Sequence, residues 1–211
     1  MSCCSATDRF FSFFAKFYAW KLEKKGFEKS QQKLFEALNV TGFKDQSILE
    51  IGCGTGYFHQ SLLQAGAARA RGVDMSQKMI AYARRLAAKK GLDEITEYET
   101  GDFVEDQDHY KNHDLILLDK VICCYPDPDK LIGISTEKCD KTYAVTYPRD
   151  SLIPKLTFGI AGILLTVLRS EFKPRVHSVA SITSQIEQAG FIRSSHWQDF
   201  FWISEVYERT S

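Results

Sequence analysis

An α/β fold with a doubly wound, mostly parallel sheet and one antiparallel strand near the C-terminus is what this chain predicts, on three observations. From Ser47 onward, short apolar runs alternate with helical patterns, the signature of repeated βαβ units. A glycine-rich loop joins the first of those strands to the first of those helices. The last two strand patterns are separated by almost nothing around Asp199-Phe200. That spacing permits only an antiparallel hairpin, because a parallel pair needs a crossover of about a dozen residues or more.

The strands are read at Ser47–Ile51, Ala70–Val73, Ile95–Glu99, Asp114–Val121, Thr142–Thr146, Phe191–Trp197 and Phe201–Tyr207. Helices fall between them at about Tyr57–Ala65, Gln77–Lys90, Asp129–Lys138 and Ala180–Ala189. Ser76 stands where a helix N-cap belongs, and Gly91 follows Lys89-Lys90 as a stop, so the second of these helices is bounded by its own chemistry.

A chain of 211 residues is the size of one core. It is read as a helical N-terminal arm or lid at residues 1–44, followed by a single domain at 45–211. With 44% apolar residues and only 13 Gly and 5 Pro, low-complexity disorder is excluded. Lys plus Arg and Asp plus Glu both total 27, so no basic excess points to nucleic acid. The chain does not open with a basic segment followed by an apolar signal region, and a reducing cytoplasm suits its six cysteines. The longest apolar run, Leu156 to Leu168, has 13 residues, against the roughly 18–20 of a spanning helix. No transmembrane segment is expected. Contact with a membrane surface stays open, since Lys155 and Arg169 flank that run. The cysteine pairs Cys3-Cys4 and Cys123-Cys124 lack C-x-x-C spacing and the five histidines are scattered, so no metal site is expected.

The chemistry is concentrated at three strand ends. Ile48-Leu49-Glu50-Ile51-Gly52-Cys53-Gly54-Thr55-Gly56 places a G-x-G-x-G loop between strand and helix. Glycine serves there because a tight turn needs relaxed φ and a ligand must approach the backbone without a Cβ in the way. Asp74 ends the second strand, where a carboxylate can accept from both hydroxyls of a ribose. Asp102, in Thr100-Gly101-Asp102-Phe103, ends the third, where it can accept from an exocyclic amine while Phe103 covers a ring face. An adenosine-containing ligand follows. A dinucleotide site would carry G-x-G-x-x-G, but here the third glycine comes one residue early. Glu50 precedes the first glycine and would repel a pyrophosphate while suiting a cation.

These segments, with Gly72-Val73-Asp74-Met75-Ser76, resemble the class I S-adenosylmethionine-dependent methyltransferases over about residues 45–150. The resemblance implies a Rossmann-like seven-stranded sheet with one antiparallel strand, S-adenosylmethionine as cofactor, and methyl transfer. It also implies that the fourth strand end faces the transferable methyl. The cofactor-binding candidates are Glu50, Gly52, Cys53, Gly54, Gly56, Asp74, Met75, Asp102, Phe103, Asp119 and Lys120. Cys124-Tyr125-Pro126, the apolar run after the fifth strand and Val176-His177-Ser178 are similar to the magnesium-protoporphyrin O-methyltransferase branch, although that branch has His where this chain has Cys124.

Two flanking segments are unusually apolar. Residues 10–20 hold seven aromatics in eleven positions, with Phe10, Phe13, Phe14 and Phe17 on one helical stripe. This segment and the run after the fifth strand are expected to cover an apolar pocket for a small-molecule acceptor, small to medium, apolar or flat, methylated at a carboxylate or hydroxyl oxygen. Tyr125, His177 and Tyr18 are the candidate catalytic residues, with Tyr125 first because it is tied to the fourth strand. The competing readings are a non-catalytic S-adenosylmethionine-binding or sensor protein and an NAD-dependent oxidoreductase.

Overall fold

The computed structural model describes residues 12, 15, 16, 20–167 and 174–210. Most of the aromatic segment, Tyr18 included, lies outside them, as do Cys3 and Cys4. The elements in chain order are α1 (Lys29–Thr41), β1 (Ser47–Ile51), α2 (Tyr57–Gln64), β2 (Arg69–Asp74), α3 (Gln77–Lys89), β3 (Thr96–Thr100), β4 (His113–Asp119), α4 (Pro128–Glu137), β5 (Cys139–Pro148), α5 (Leu152–Val167), α6 (Val179–Gln188), β6 (Phe191–Gln198) and β7 (Trp202–Arg209).

Seven strands form one sheet in the order β3-β2-β1-β4-β5-β7-β6. β7 runs antiparallel to both neighbours, and the remaining pairs are parallel. The winding reverses between β1 and β4, which opens a crevice beyond their carboxyl ends. Alternate side chains of the central strands go to opposite faces, as the period of two requires. Leu49, Ile116, Leu118 and Val145 pack with Leu131, Ile132, Ile182 and Ile186 of α4 and α6. Ile48, Leu115, Leu117 and Ala144 pack with Leu34 and Leu38 of α1 and Phe58 and Leu62 of α2. Burial on both faces explains why β1 and β4 read as continuous apolar runs.

The sequence-predicted boundaries of α3 hold for chemical reasons. Ser76 Oγ accepts from Met79 N at 3.3 Å, and Gly91 takes φ +67 beyond the last turn. The fourth strand stops two residues earlier than expected. Lys120 adopts φ +61, which a β-strand cannot accommodate, and the chain then enters a short 3-10 turn at Ile122–Cys124. The arm reading also gains detail: within residues 1–44, α1 buries Leu34 and Leu38 in the core. At about 1.5–3 kcal/mol for each fully buried Leu, that is an upper-bound contribution comparable to a large share of a domain's net stability. Gln31, at the start of the same helix, donates from Nε2 to Asp119 Oδ2 at 2.5 Å.

Candidate functional site

The loop after β1 is held open by its neighbours' chemistry. Gly52 has φ +65, and a Cβ there would lie 2.5 Å from Val121 Cγ2. Gly54 has φ +52 and a Cβ on it would meet nothing within 4 Å, so the backbone borders free space. Asp74 organises this loop from β2. Its Oδ2 accepts from Gly54 N at 2.8 Å and its Oδ1 from Ser76 N at 2.8 Å. The carboxylate thus ties the glycine loop to the start of α3.

Glu50 is buried, and its Oε2 lies 2.5 Å from His59 Nδ1. His59 Nε2 is 2.9 Å from Tyr98 Oη, and Gln60 Nε2 donates to the same hydroxyl at 2.7 Å. With Gln60 as donor, the Tyr98 proton is assigned toward His59 Nε2, which leaves Nδ1 as the donor to Glu50. Burial pushes the Glu50 carboxyl up against the opposing pull of His59. Gly56, at the N-cap of α2, has φ +71 and would press a Cβ to 2.9 Å from Gln60 Nε2 and His59 Cε1. The third glycine therefore makes room for this network; it does not line the cavity.

A cavity of about 460 Å³ opens at the strand ends. Glu50, Gly52, Cys53, Gly54, Asp74, Met75, Phe103, Asp119, Lys120 and Tyr125 of the sequence-predicted set line it, whereas Gly56, Asp102 and His177 do not. Asp102 Oδ1 accepts from Tyr125 Oη at 2.7 Å and from Val104 N at 3.0 Å. It braces Tyr125 from behind. His177 stands nearer Arg175 and Asp129; burial, then Arg175, lowers its pKa. Its Nε2 is buried without a hydrogen-bond partner.

Asp119 ends β4 with Oδ2 on Gln31 and Oδ1 buried without a hydrogen-bond partner; Thr55 Oγ1, also on the cavity wall, is likewise orphaned. Burial pushes the Asp119 carboxyl up, opposed mainly by Lys120. Lys120 pairs with Glu28 and lies over the Trp202 ring at 4.8 Å, and Lys21 pairs with the other Glu28 oxygen. Burial works against the Glu28 charge, but Lys120 and Lys21 together outweigh it and bring its pKa down to about 2.

Sequence reasoning missed His59, Gln31, Glu28 and Trp202. Glu28-x-x-Gln31 ahead of an apolar helix was a readable signal: Gln31 Oε1 accepts from Glu28 N at 3.1 Å, as a capping box does. Nothing local could have shown that the same glutamine reaches β4. Phe158, within the apolar run after β5, lines the cavity and so joins it to the expected cover. Among the described residues, no group of three His, Cys, Asp or Glu could hold a metal ion.

A seven-stranded sheet of this order, with glycines, Asp74 and Asp119 converging beyond its central strands, defines a Rossmann-like methyltransferase domain. The family profile described as a methyltransferase domain matches residues 43–195, and the chain belongs to that family, whose methyl donor is S-adenosylmethionine. Ubiquinone biosynthesis O-methyltransferase from Actinobacillus pleuropneumoniae is 30% identical over 96 residues, 44% of this chain and 41% of that protein. The same enzyme from Neisseria meningitidis is 29% identical over 92 residues, 42% and 37% of the two chains. The match therefore spans about two fifths of those curated relatives. Among solved structures, magnesium protoporphyrin IX methyltransferase from Synechocystis PCC 6803 with bound S-adenosylmethionine superimposes with a TM-score of 0.74 at 16% identity, covering 100% of this chain and 98% of that one. A cyclase also shares the fold, with a TM-score of 0.65, 13% identity and coverage of 85% and 80%.

Proposed function

We propose that this chain transfers a methyl group from S-adenosylmethionine to a small or medium, apolar or flat acceptor, at a carboxylate or hydroxyl oxygen. The observation that carries the reading is the single cavity onto which Gly52, Gly54, Asp74 and Asp119 converge from three strand ends, facing an apolar wall of Tyr125, Leu131, Phe158 and Trp202.

The residues fit the cofactor. Gly54 leaves its backbone uncovered, Asp74 brings a carboxylate of the kind that accepts from ribose hydroxyls to the cavity wall, and Phe103 with Met75 offers apolar surface to a purine. Asp119 and Glu50 would place negative potential toward a sulfonium, and the orphaned Asp119 Oδ1 is an acceptor awaiting a donor. When bound, S-adenosylmethionine supplies a methyl carbon already activated by positive sulfur. The chain's own work is then alignment and exclusion of water. Alignment can contribute about 7–11 kcal/mol, whereas a general base supplies only about a hundredfold to ten-thousandfold. Tyr125 contributes an aromatic face and a hydroxyl whose proton is directed to Asp102; it serves to position the acceptor. Within the arm at residues 1–44, the part ahead of α1 is proposed to act as the lid, since α1 itself packs in the core.

One observation favours a second reading, cofactor binding without turnover. Among the described residues no histidine lines the cavity, and the Tyr125 proton is engaged. Incubating the protein with isotope-labelled S-adenosylmethionine and cell extract, followed by mass spectrometry, separates the two. A labelled acceptor together with released S-adenosylhomocysteine supports transfer, and saturable binding with no product supports the sensor. Tighter calorimetric binding of NAD than of S-adenosylmethionine would reject both. Deleting residues 1–20 is expected to spare cofactor affinity and abolish turnover, and a fully active truncate would remove the lid assignment.

A further inference from the structure

Cys123 and Cys124 close the 3-10 turn that follows Lys120, and both line the cavity without taking part in the proposed transfer. Their sulfurs lie 3.5 Å apart, and each thiol donates to the Lys120 carbonyl, at 3.4 and 3.7 Å. Both are free thiols, Cys123 buried and Cys124 half-buried. The backbone that carries them is anchored on each side. Cys124 N donates to Val121 O at 2.8 Å, and Arg175 N donates to Cys123 O at 2.8 Å. The two sulfurs are therefore presented as a preset pair on one wall.

Their spacing selects a coordination geometry. With a sulfur–ligand bond of about 2.3 Å, two sulfurs 3.5 Å apart subtend about 100° at a shared atom, whereas a linear two-coordinate ion would need them about 4.6 Å apart. A tetrahedral ion wants about four ligands, and among the described residues not even three potential metal ligands are grouped. A pyramidal trivalent centre carrying one organic substituent needs two sulfurs at a bent angle. We propose that Cys123 and Cys124 form a dithiol site for trivalent organoarsenicals. In the binding step two S–H bonds break and two As–S bonds form. The arsenoxide oxygen leaves as water with both protons, and no atom changes oxidation state.

The Cys124 hydrogen bond and burial hold the Cys123 thiol well above its ordinary range, so the half-buried Cys124 sulfur is the first to attack and Cys123 closes the second As–S bond. The adduct would share its wall with Tyr125 and Leu131 and occupy acceptor space. The inference goes beyond methyl transfer and does not depend on it.

Phenylarsine oxide is the probe, with intact-mass spectrometry and competitive titration as readouts. Cys3-Cys4 is a second adjacent pair, so the full-length Cys3→Ser/Cys4→Ser protein is the reference. It is expected to bind one equivalent that 2,3-dimercaptopropanol removes and that excess monothiol does not. Adding Cys124→Ser should weaken binding about 100-fold, the scale of gain from two-point attachment. Cys124→Ala should do the same, with circular dichroism checking the fold of both. Failure of the reference protein to bind one equivalent, or undiminished binding after either Cys124 change, would overturn the site.

Discussion

Beneath the cavity, Glu50, His59, Tyr98 and Gln60 form a buried hydrogen-bonded set in which His59 bridges Glu50 and Tyr98 and Gln60 Nε2 donates to Tyr98, while Gln60 Oε1 has no partner. Above it, α5 exposes Leu152, Ile153, Leu156, Ile160, Ile163 and Leu164, and it touches the body through Phe158, whose ring stands 5.8 Å from that of Phe201. The first region is polar and buried, the second apolar and exposed, the reverse of what each composition favours alone. Buried polarity is costly wherever its pairing is lost, so the floor's Glu50-His59-Tyr98 chain of hydrogen bonds tolerates little change. Exposed apolarity adds little to the fold, and a cover built that way can respond to what lies under it.

The contrast can be broken most severely at His59. His59→Ala leaves Glu50 buried without its partner and is expected to cost about 3–5 kcal/mol in urea unfolding; a loss below about 1 kcal/mol would mean that the floor is not a linked unit. Next comes Asp74→Ala. It removes the acceptor for Gly54 N and Ser76 N, and calorimetry should show S-adenosylmethionine binding weakened at least about tenfold, roughly 1.4 kcal/mol. Unchanged affinity would reject the ribose role.

A smaller effect belongs to Glu28, which joins Lys21 and Lys120 on the cavity wall. Its pKa is lowered to about 2 in the fold from an ordinary 4.5. Its contribution is therefore present above about pH 4.5 and is lost as pH falls from 4.5 toward 2. Glu28→Gln should lower stability modestly at neutral pH, since the side chain is 37% exposed, and the deficit should shrink to nothing as pH falls toward 2, flattening that part of the acid dependence. An unaltered acid profile would show that Lys21 and Lys120 do not hold it. The smallest effect is expected for Leu156→Ser with Ile160→Ser. Stability should move by no more than about 0.5 kcal/mol while turnover falls, and a large drop in the melting temperature would instead make α5 a structural element of the core.

Much of this was legible along the chain. The glycine loop and Asp74 follow short apolar runs where turn chemistry begins, points that local pattern locates well, whereas Asp119 ends a strand that the pattern carried two residues too far. The strand-to-turn change at Lys120 was not legible, because a lysine at positive φ carries no residue-type signal of the kind glycine gives. Asp102 was read as facing the ligand, yet its Oδ1 accepts from Tyr125, 23 residues later. No local pattern names that partner, because a side chain distant along the chain supplies it.

The amino-acid order by itself determined the alternation of strands and helices, the reversed final hairpin and the acids at the sheet's carboxyl edge, because each follows from contacts within a few residues. The tertiary structure alone decided that Gln31 reaches Asp119, that Glu28 joins Lys21 to Lys120, and that His177 stands off the cavity wall while Cys123 and Cys124 stand on it. Those outcomes depend on where packed elements come to rest relative to one another, and packing is settled by the whole core at once.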